Sequence, residues 1–138
     1  MDRPIVFVVD DDESICRSLR RLMKSVGHHV RTFTSARDFL NQGCQDMPGC
    51  LVLDVKMPGM DGLELQQRLV HAGSRMPIIF MSAQEDFATR EQGLRAGAMA
   101  FLQKPFEDEI LLEKVQTALN EFINALQEQD IRSNDQER

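Results

Sequence analysis

Tryptophan and tyrosine are both absent, so binding to this chain must be followed by NMR or calorimetry; tryptophan quenching is excluded. Cysteine is sparse. Cys16, Cys44 and Cys50 are odd in number and show no Cys-x-x-Cys spacing, which argues against a disulfide framework or a zinc site and fits reduced thiols. Positive charge is also in short supply. Sixteen basic side chains face twenty-two acidic ones, a net charge of −6. Holding a nucleic-acid backbone calls for a basic patch, so this chain is not expected to bind DNA or RNA itself. Long apolar runs are missing too. The stretch from Ile5 to Val9 that follows Met1-Asp2-Arg3-Pro4 is too short for a signal peptide or a membrane span. A cytoplasmic protein is expected.

What is present is alternation. With 138 residues, one domain with a proper core is the natural expectation. Ile5 to Val9, Cys50 to Leu53 and Ile78 to Met81 are continuous apolar runs, as for parallel strands covered on both faces. Val30-Arg31-Thr32-Phe33 alternates and suits an edge strand, and the short run Ala98 to Leu102 suits the other edge. Between them Ile15, Leu19, Leu22 and Val26 recur at helical spacing, as do Leu65, Leu69 and Ala72. Weaker helices fall near 35–41 and 86–96, the second weakened by Gly93 at roughly 1 kcal/mol relative to alanine. Leu112, Val115, Leu119, Phe122 and Leu126 mark a last helix, too short in heptads for a coiled coil and expected to pack on the sheet. A polar tail follows. Residues 1–126 are expected to form one domain, with 127–138 a tail or the start of a linker.

Five strands alternating with five helices imply a doubly wound, flavodoxin-like (βα)5 fold. Three layers, α/β/α, would enclose a parallel sheet of order 2-1-3-4-5 with right-handed crossovers. In such sheets ligands bind outside the carboxyl ends of the strands, at the switch point between strands 1 and 3. Strand 1 ends in Asp10-Asp11 and strand 3 in Asp54. Three carboxylates together repel by several kcal/mol, at roughly 3 kcal/mol per pair about 5 Å apart in an effective dielectric near 20. They must share protons or hold a cation, for which magnesium, a hard ion bound by oxygens, is the candidate. Acids also cluster at helix starts because the dipole favours them, and that accounts for Asp12 and Glu13. It does not account for Asp54. Strand 4 brings Ser82 to the same rim and strand 5 brings Lys104, then Pro105. A hydroxyl and an ammonium beside carboxylates and a metal are suited to handling a phosphoryl group, with Asp54 as nucleophile.

The segments "VVDDDES", "LVLDVKMPGMDG", "MSA" and "FLQKPF" together resemble, in order and spacing, the receiver domains of two-component response regulators. The likeness covers residues 4 to 124, and "GAMAFLQKPFEDEILLEKV" is most similar to the FixJ/NarL-type branch. It implies that Asp54 is the phosphoacceptor, Asp11 a direct magnesium ligand and Asp10 a ligand or water-bridged partner. Lys56 would give its backbone carbonyl to the metal. Ser82 would be the signalling hydroxyl, Lys104 the phosphoryl contact and Phe101 the switching aromatic. The Lys104-Pro105 bond resembles one that is often cis in the family. The phosphoryl donor would be a histidine kinase. The output would be a phosphorylation-dependent homodimer, formed through the face of helix 4, strand 5 and helix 5, and a C-terminal DNA-binding domain regulating transcription. No enzyme activity beyond self-phosphorylation and autodephosphorylation is implied. Ser82 stands where threonine is commoner and Phe101 where tyrosine is frequent, while Lys56 and Gln84 flank the pocket at variable positions.

Plainer readings hold elsewhere. His28, His29 and His71 are expected at the surface, and Met57 and Met60 in packing. Lys104 is expected to be partly exposed, Phe101 to start from a more exposed position, and the turns Pro58-Gly59 and Asp61-Gly62 to leave Asp54 accessible. Three other functions compete. A haloacid-dehalogenase-like phosphatase would want a second aspartate where Lys56 stands. A flavin binder would want a Ser/Thr/Gly-rich first loop in place of "DDDES". A phosphorylation-independent, receiver-like interaction domain would usually lack one of the acids or the lysine.

Overall fold

Each anticipated apolar run is a strand: β1 (Ile5–Val9), β2 (His29–Phe33), β3 (Gly49–Asp54), β4 (Ile78–Ser82) and β5 (Ala100–Gln103). They alternate with α1 (Glu13–Ser25), α2 (Ala36–Asn41), α3 (Gly62–His71), α4 (Phe87–Arg95) and α5 (Asp108–Gln136), with a 3-10 turn at Cys44–Asp46. The computed structural model describes residues 3–83 and 86–136, and side chains of α5 through residue 125 and at 127 and 128. Gln84 and the side chain of Leu126 lie outside the described residues, as do positions 137 and 138.

All four strand pairings are parallel and the order is β2-β1-β3-β4-β5, as expected. Alternation along each strand divides the core in two. On one face Val6, Val8, Val52, Ile79 and Met81 pack under Leu19 and Met23 of α1 and Leu111, Val115 and Leu119 of α5. On the other Phe7, Val9, Leu51, Leu53 and Phe80 pack under Phe39 of α2 and Leu65 and Leu69 of α3. Every residue of β3 and β4 is buried, which is why those runs carry no polar alternation. Edge strand β2 is half-buried along most of its length.

The helices begin where oxygen-bearing side chains cap them. Asp12, Ser35, Asp61 and Asp86 each accept from a backbone N–H of the first turn of α1, α2, α3 and α4, satisfying donors that the helix cannot. The third of these caps ends the turn after β3. Gly62, next in sequence, sits so close to the carbonyl of Asp54 that a Cβ would collide with it, and its N–H donates to Val55 O at 2.8 Å. Only glycine allows that approach, so α3 starts directly against the strand end that carries Asp54.

Three expectations change in detail. β3 includes Asp54 itself, and β5 starts at Ala100, because the N–H of Ala98 is used in closing α4 on Gly93 O at 3.0 Å. α5 continues to Gln136 where a polar tail is expected. Its Gln, Glu, Arg and Asn residues include no Gly or Pro to stop a helix. Met57 and Met60 are buried in the second core, and all three cysteines are free and buried.

Candidate functional site

Strand register assembles the site. Val9 is level with Leu53, and Asp54 with Met81. Asp10 therefore stands beside Asp54, and Ser82 lies one residue past its neighbour. Ser82 is in turn level with Gln103, so Lys104 follows at the same rim. Main-chain bonds hold two of these ends in place: Asp10 N–H donates to Phe33 O at 3.1 Å and Lys104 N–H to Ser82 O at 2.7 Å.

The side chains converge. Lys104 Nζ donates to Asp10 Oδ2 at 2.7 Å and to Asp54 Oδ1 at 3.2 Å. The other oxygen of Asp10 accepts from the N–H of Asp12 at 2.9 Å, and Cys16 Sγ donates to the Asp10 carbonyl at 3.3 Å from beneath. Asp10 is thus oriented from three sides. The Asp-x-Asp spacing was the available signal for the Asp12 contact; Cys16 had none. Asp12 itself caps α1 and accepts from both the N–H and the hydroxyl of Ser14, which hold its pKa below the ordinary value. Asp12 therefore serves the helix start, as expected.

Burial bears out one expectation and overturns another. Lys104 is partly exposed, as expected, its side chain at 17%. Asp54 is not left open by the turns that follow it, since it is 6% exposed with Lys104 and Asp10 against it. Ser82 is buried at the same rim, Asp11 is exposed, and Lys56 is exposed beside the pocket. Phe101 is half-buried, its ring centroid 5.9 Å from that of Phe80. It therefore starts packed, because the neighbouring strand supplies an aromatic partner. The Lys104-Pro105 peptide is cis.

Burial and the charge of Asp10 push the Asp54 carboxyl up to about 6, against the opposing pull of Lys104. For Lys104, burial alone would lower the pKa. The hydrogen bond and charge of Asp10, joined by those of Asp54, outweigh it, and the net shift is upward. The ammonium therefore stays charged while Asp54 is strained toward its protonated form.

A cation would relieve that strain. Asp10, Asp11 and Asp54 each offer an oxygen, all within 4.8 Å of one another. Adjacent ligands of an octahedral magnesium stand about 3 Å apart and opposite ones about 4.2 Å at its usual bond length, so the three oxygens would draw closer around an ion. Three carboxylates against one ammonium leave two negative charges, matching a divalent ion. The donor set is all oxygen, as magnesium requires.

The response regulator receiver domain family matches the chain over residues 6–116, and the chain belongs to that family. It is 43% identical over 115 residues to the response regulator protein TmoT of Ectopseudomonas mendocina, a match covering 83% of this chain and 52% of that protein. The transcriptional regulatory protein FixJ of Azorhizobium caulinodans is 38% identical over 128 residues, covering 93% and 61%. A solved structure of the response regulator StyR superposes with a TM-score of 0.86 at 42% identity, covering 98% of this chain and 67% of that one. The expected likeness to FixJ is met. The chain spans about half the length of TmoT.

Proposed function

We propose that Asp54 accepts a phosphoryl group from a phosphohistidine of a sensor kinase. A carboxylate oxygen of Asp54 forms a bond to phosphorus as the P–N bond to the kinase imidazole breaks, and the imidazole leaves with its electron pair. Lys104 pairs with the charge that gathers on the phosphoryl oxygens, and Ser82 donates its hydroxyl to one of them. Held by Asp10, Asp11, Asp54 and the backbone carbonyl of Lys56, magnesium would supply positive charge to the same oxygens. Hydrolysis of the acyl phosphate resets the site, so the only chemistry is on the protein itself.

The observation that carries this is the convergence of Asp10, Asp54 and Lys104 within hydrogen-bond reach at the ends of three strands. None of the three rivals gains support. The position a dehalogenase-like acid would need is Lys56, the first loop is acidic where a flavin binder would want Ser, Thr and Gly, and none of the charged groups a receiver needs is missing. Incubation with acetyl phosphate and magnesium should add one phosphoryl group by mass spectrometry. Chelator and Asp54→Asn should each abolish it; persistence in Asp54→Asn would move the site elsewhere.

Output follows from the same modification. The face made by α4, β5 and α5 is reshaped when Ser82 moves toward the phosphoryl group and Phe101 follows, and two copies then pair through it, a symmetric dimer being the commonest closed assembly. Residues 1–126 act as the receiver, and 127–138 begin the connection to a C-terminal DNA-binding domain. Two observations support this: relatives such as FixJ are longer and are transcriptional regulators by name, and α5 runs on to Gln136. The setting is cytoplasmic. Among the described residues no helix is long and apolar enough to cross a membrane.

A further inference from the structure

α4 is attached to the domain in an unusual way. Of its nine residues only Gly93 is buried, and the large side chain at its start, Phe87, is 75% exposed. The helix therefore has almost no apolar side chain anchoring it. Gly93 instead brings the α4 backbone directly onto the sheet. A Cβ there would lie 3.0 Å from the Phe80 ring, tighter than ordinary contact. At the same point Gln66 of α3, 1% exposed, donates its side-chain amide to Gly93 O at 2.8 Å. That carbonyl also accepts the N–H of Ala98, the bond that closes α4 ahead of β5. One buried amide thus ties α3 to the last turn of α4 and to the entry of β5.

Phe80 connects this joint to the phosphorylation site. It lies two residues before Ser82 on β4, so both side chains leave the same face of the sheet. It is level with Phe101 on β5 and touches its ring. Gly93, Phe80 and Phe101 form one contiguous packed group, and Ser82 lies two residues along β4 on the same face of the sheet. A hydrogen bond of 2.8 Å is lost if its partners part by about 1 Å, whereas the packing of half-buried rings yields more gradually.

We propose that Gln66 is a positioning residue that clamps α4 in its unmodified seat, and that modification at Asp54 must break this clamp to move α4. The inference rests on Asp54 being the phosphoacceptor. It predicts opposite effects on two equilibria. Removing the amide weakens the unmodified seat and so favours the modified arrangement, by linkage. The net worth of one neutral hydrogen bond sets the scale, about three- to tenfold in an equilibrium constant.

The test uses the full chain with magnesium and beryllium fluoride as the phosphoryl mimic, followed by NMR. Gln66→Leu, which roughly keeps the volume and replaces the amide with an apolar group, should raise the apparent affinity for beryllium fluoride about three- to tenfold. It should also speed hydrogen exchange at Ala98 N–H without the mimic. Gly93→Ala, which lifts α4 off Phe80, should act in the same direction. Unchanged or weakened affinity in both variants, with Ala98 exchanging faster, would make Gln66 a structural tie only and overturn the proposal. Unchanged exchange at Ala98 would show that no clamp exists. If wild type and Asp54→Asn take up the mimic alike, the phosphoacceptor assignment fails, and the proposal with it; the Ala98 exchange arm distinguishes that result from failure of the clamp alone.

Discussion

Lys104 and Asp10, 94 residues apart in the chain, meet at 2.7 Å with side chains 17% and 1% exposed. An exposed pair of this kind contributes about 0–1 kcal/mol. A buried one behaves differently, because removing one partner leaves the other charge desolvated and uncompensated, at about 3–5 kcal/mol. Here Asp54 can take up a proton and soften that loss. Without metal at pH 7.5, Lys104→Ala should lower stability by about 1–3 kcal/mol in urea denaturation, and magnesium should restore part of it. The variant should also lose its response to phosphorylation. A denaturation midpoint equal to wild type would mean that the pair is solvated after all.

Asp54 makes the metal-free protein less stable at neutral pH. Its folded pKa, about 6, lies above the ordinary 3.8, so between those values the folded state binds more protons than the unfolded state. This contribution to stability is therefore undiminished below pH 3.8, is lost as pH rises, and reaches its full penalty above pH 6. The shift corresponds to roughly 3 kcal/mol at most. Asp54→Asn should accordingly be more stable than wild type in chelator at pH 7.5, and the difference should shrink toward pH 4. A difference that grows as pH falls would have the wrong sign.

Magnesium should stabilise wild type by mass action. Once the site is near saturation, each further tenfold in concentration is worth about 1.4 kcal/mol. Thermal unfolding at graded magnesium should show a midpoint that climbs with log concentration. Asp11→Asn, which touches neither core, should flatten the climb without changing the metal-free midpoint by more than a degree or two. A rise of equal slope in both proteins would place the ion elsewhere.

Phe101→Ala removes a half-buried ring from its contact with Phe80. The expected cost is about 1–3 kcal/mol, below that of a fully buried phenylalanine. Light scattering should show wild type passing from mostly monomer to mostly dimer with beryllium fluoride and magnesium, and Phe101→Ala failing to do so. A dimer in both proteins regardless of the mimic would place the interface outside this switch.

All three thiols should be silent in the native state. Cys16, Cys44 and Cys50 are buried, and burial pushes the Cys50 thiol up to about 12. A thiol-specific chromogenic disulfide at pH 8 should titrate none of them until denaturant is added. Rapid stoichiometric reaction would contradict the packing around β1 and β3.

The apolar runs and the chemistry at their ends were legible from the amino acids alone. A strand buried on both faces must be continuously apolar, and a doubly wound sheet sends all its carboxyl ends to one rim. Asp10, Asp54, Ser82 and Lys104 could therefore be placed together without coordinates. What the chain could not show by local pattern was depth. Lys104 reads as a solvated charge, yet the β4–β5 register sets it against Asp10. Phe101 is expected to start from a more exposed position, yet Phe80 is level with it and its ring packs there. Gly93 reads as a weak point in a helix, and in space it is where α4 touches the sheet. α5 reads as ending near Leu126, and it continues because nothing in the polar sequence stops it. Periodicity reports which face of an element is apolar, since that is a property of neighbours along the chain. How deeply a charge is buried, and what it pairs with, depends on residues up to 94 positions away, and only the packed tertiary structure brings those into contact.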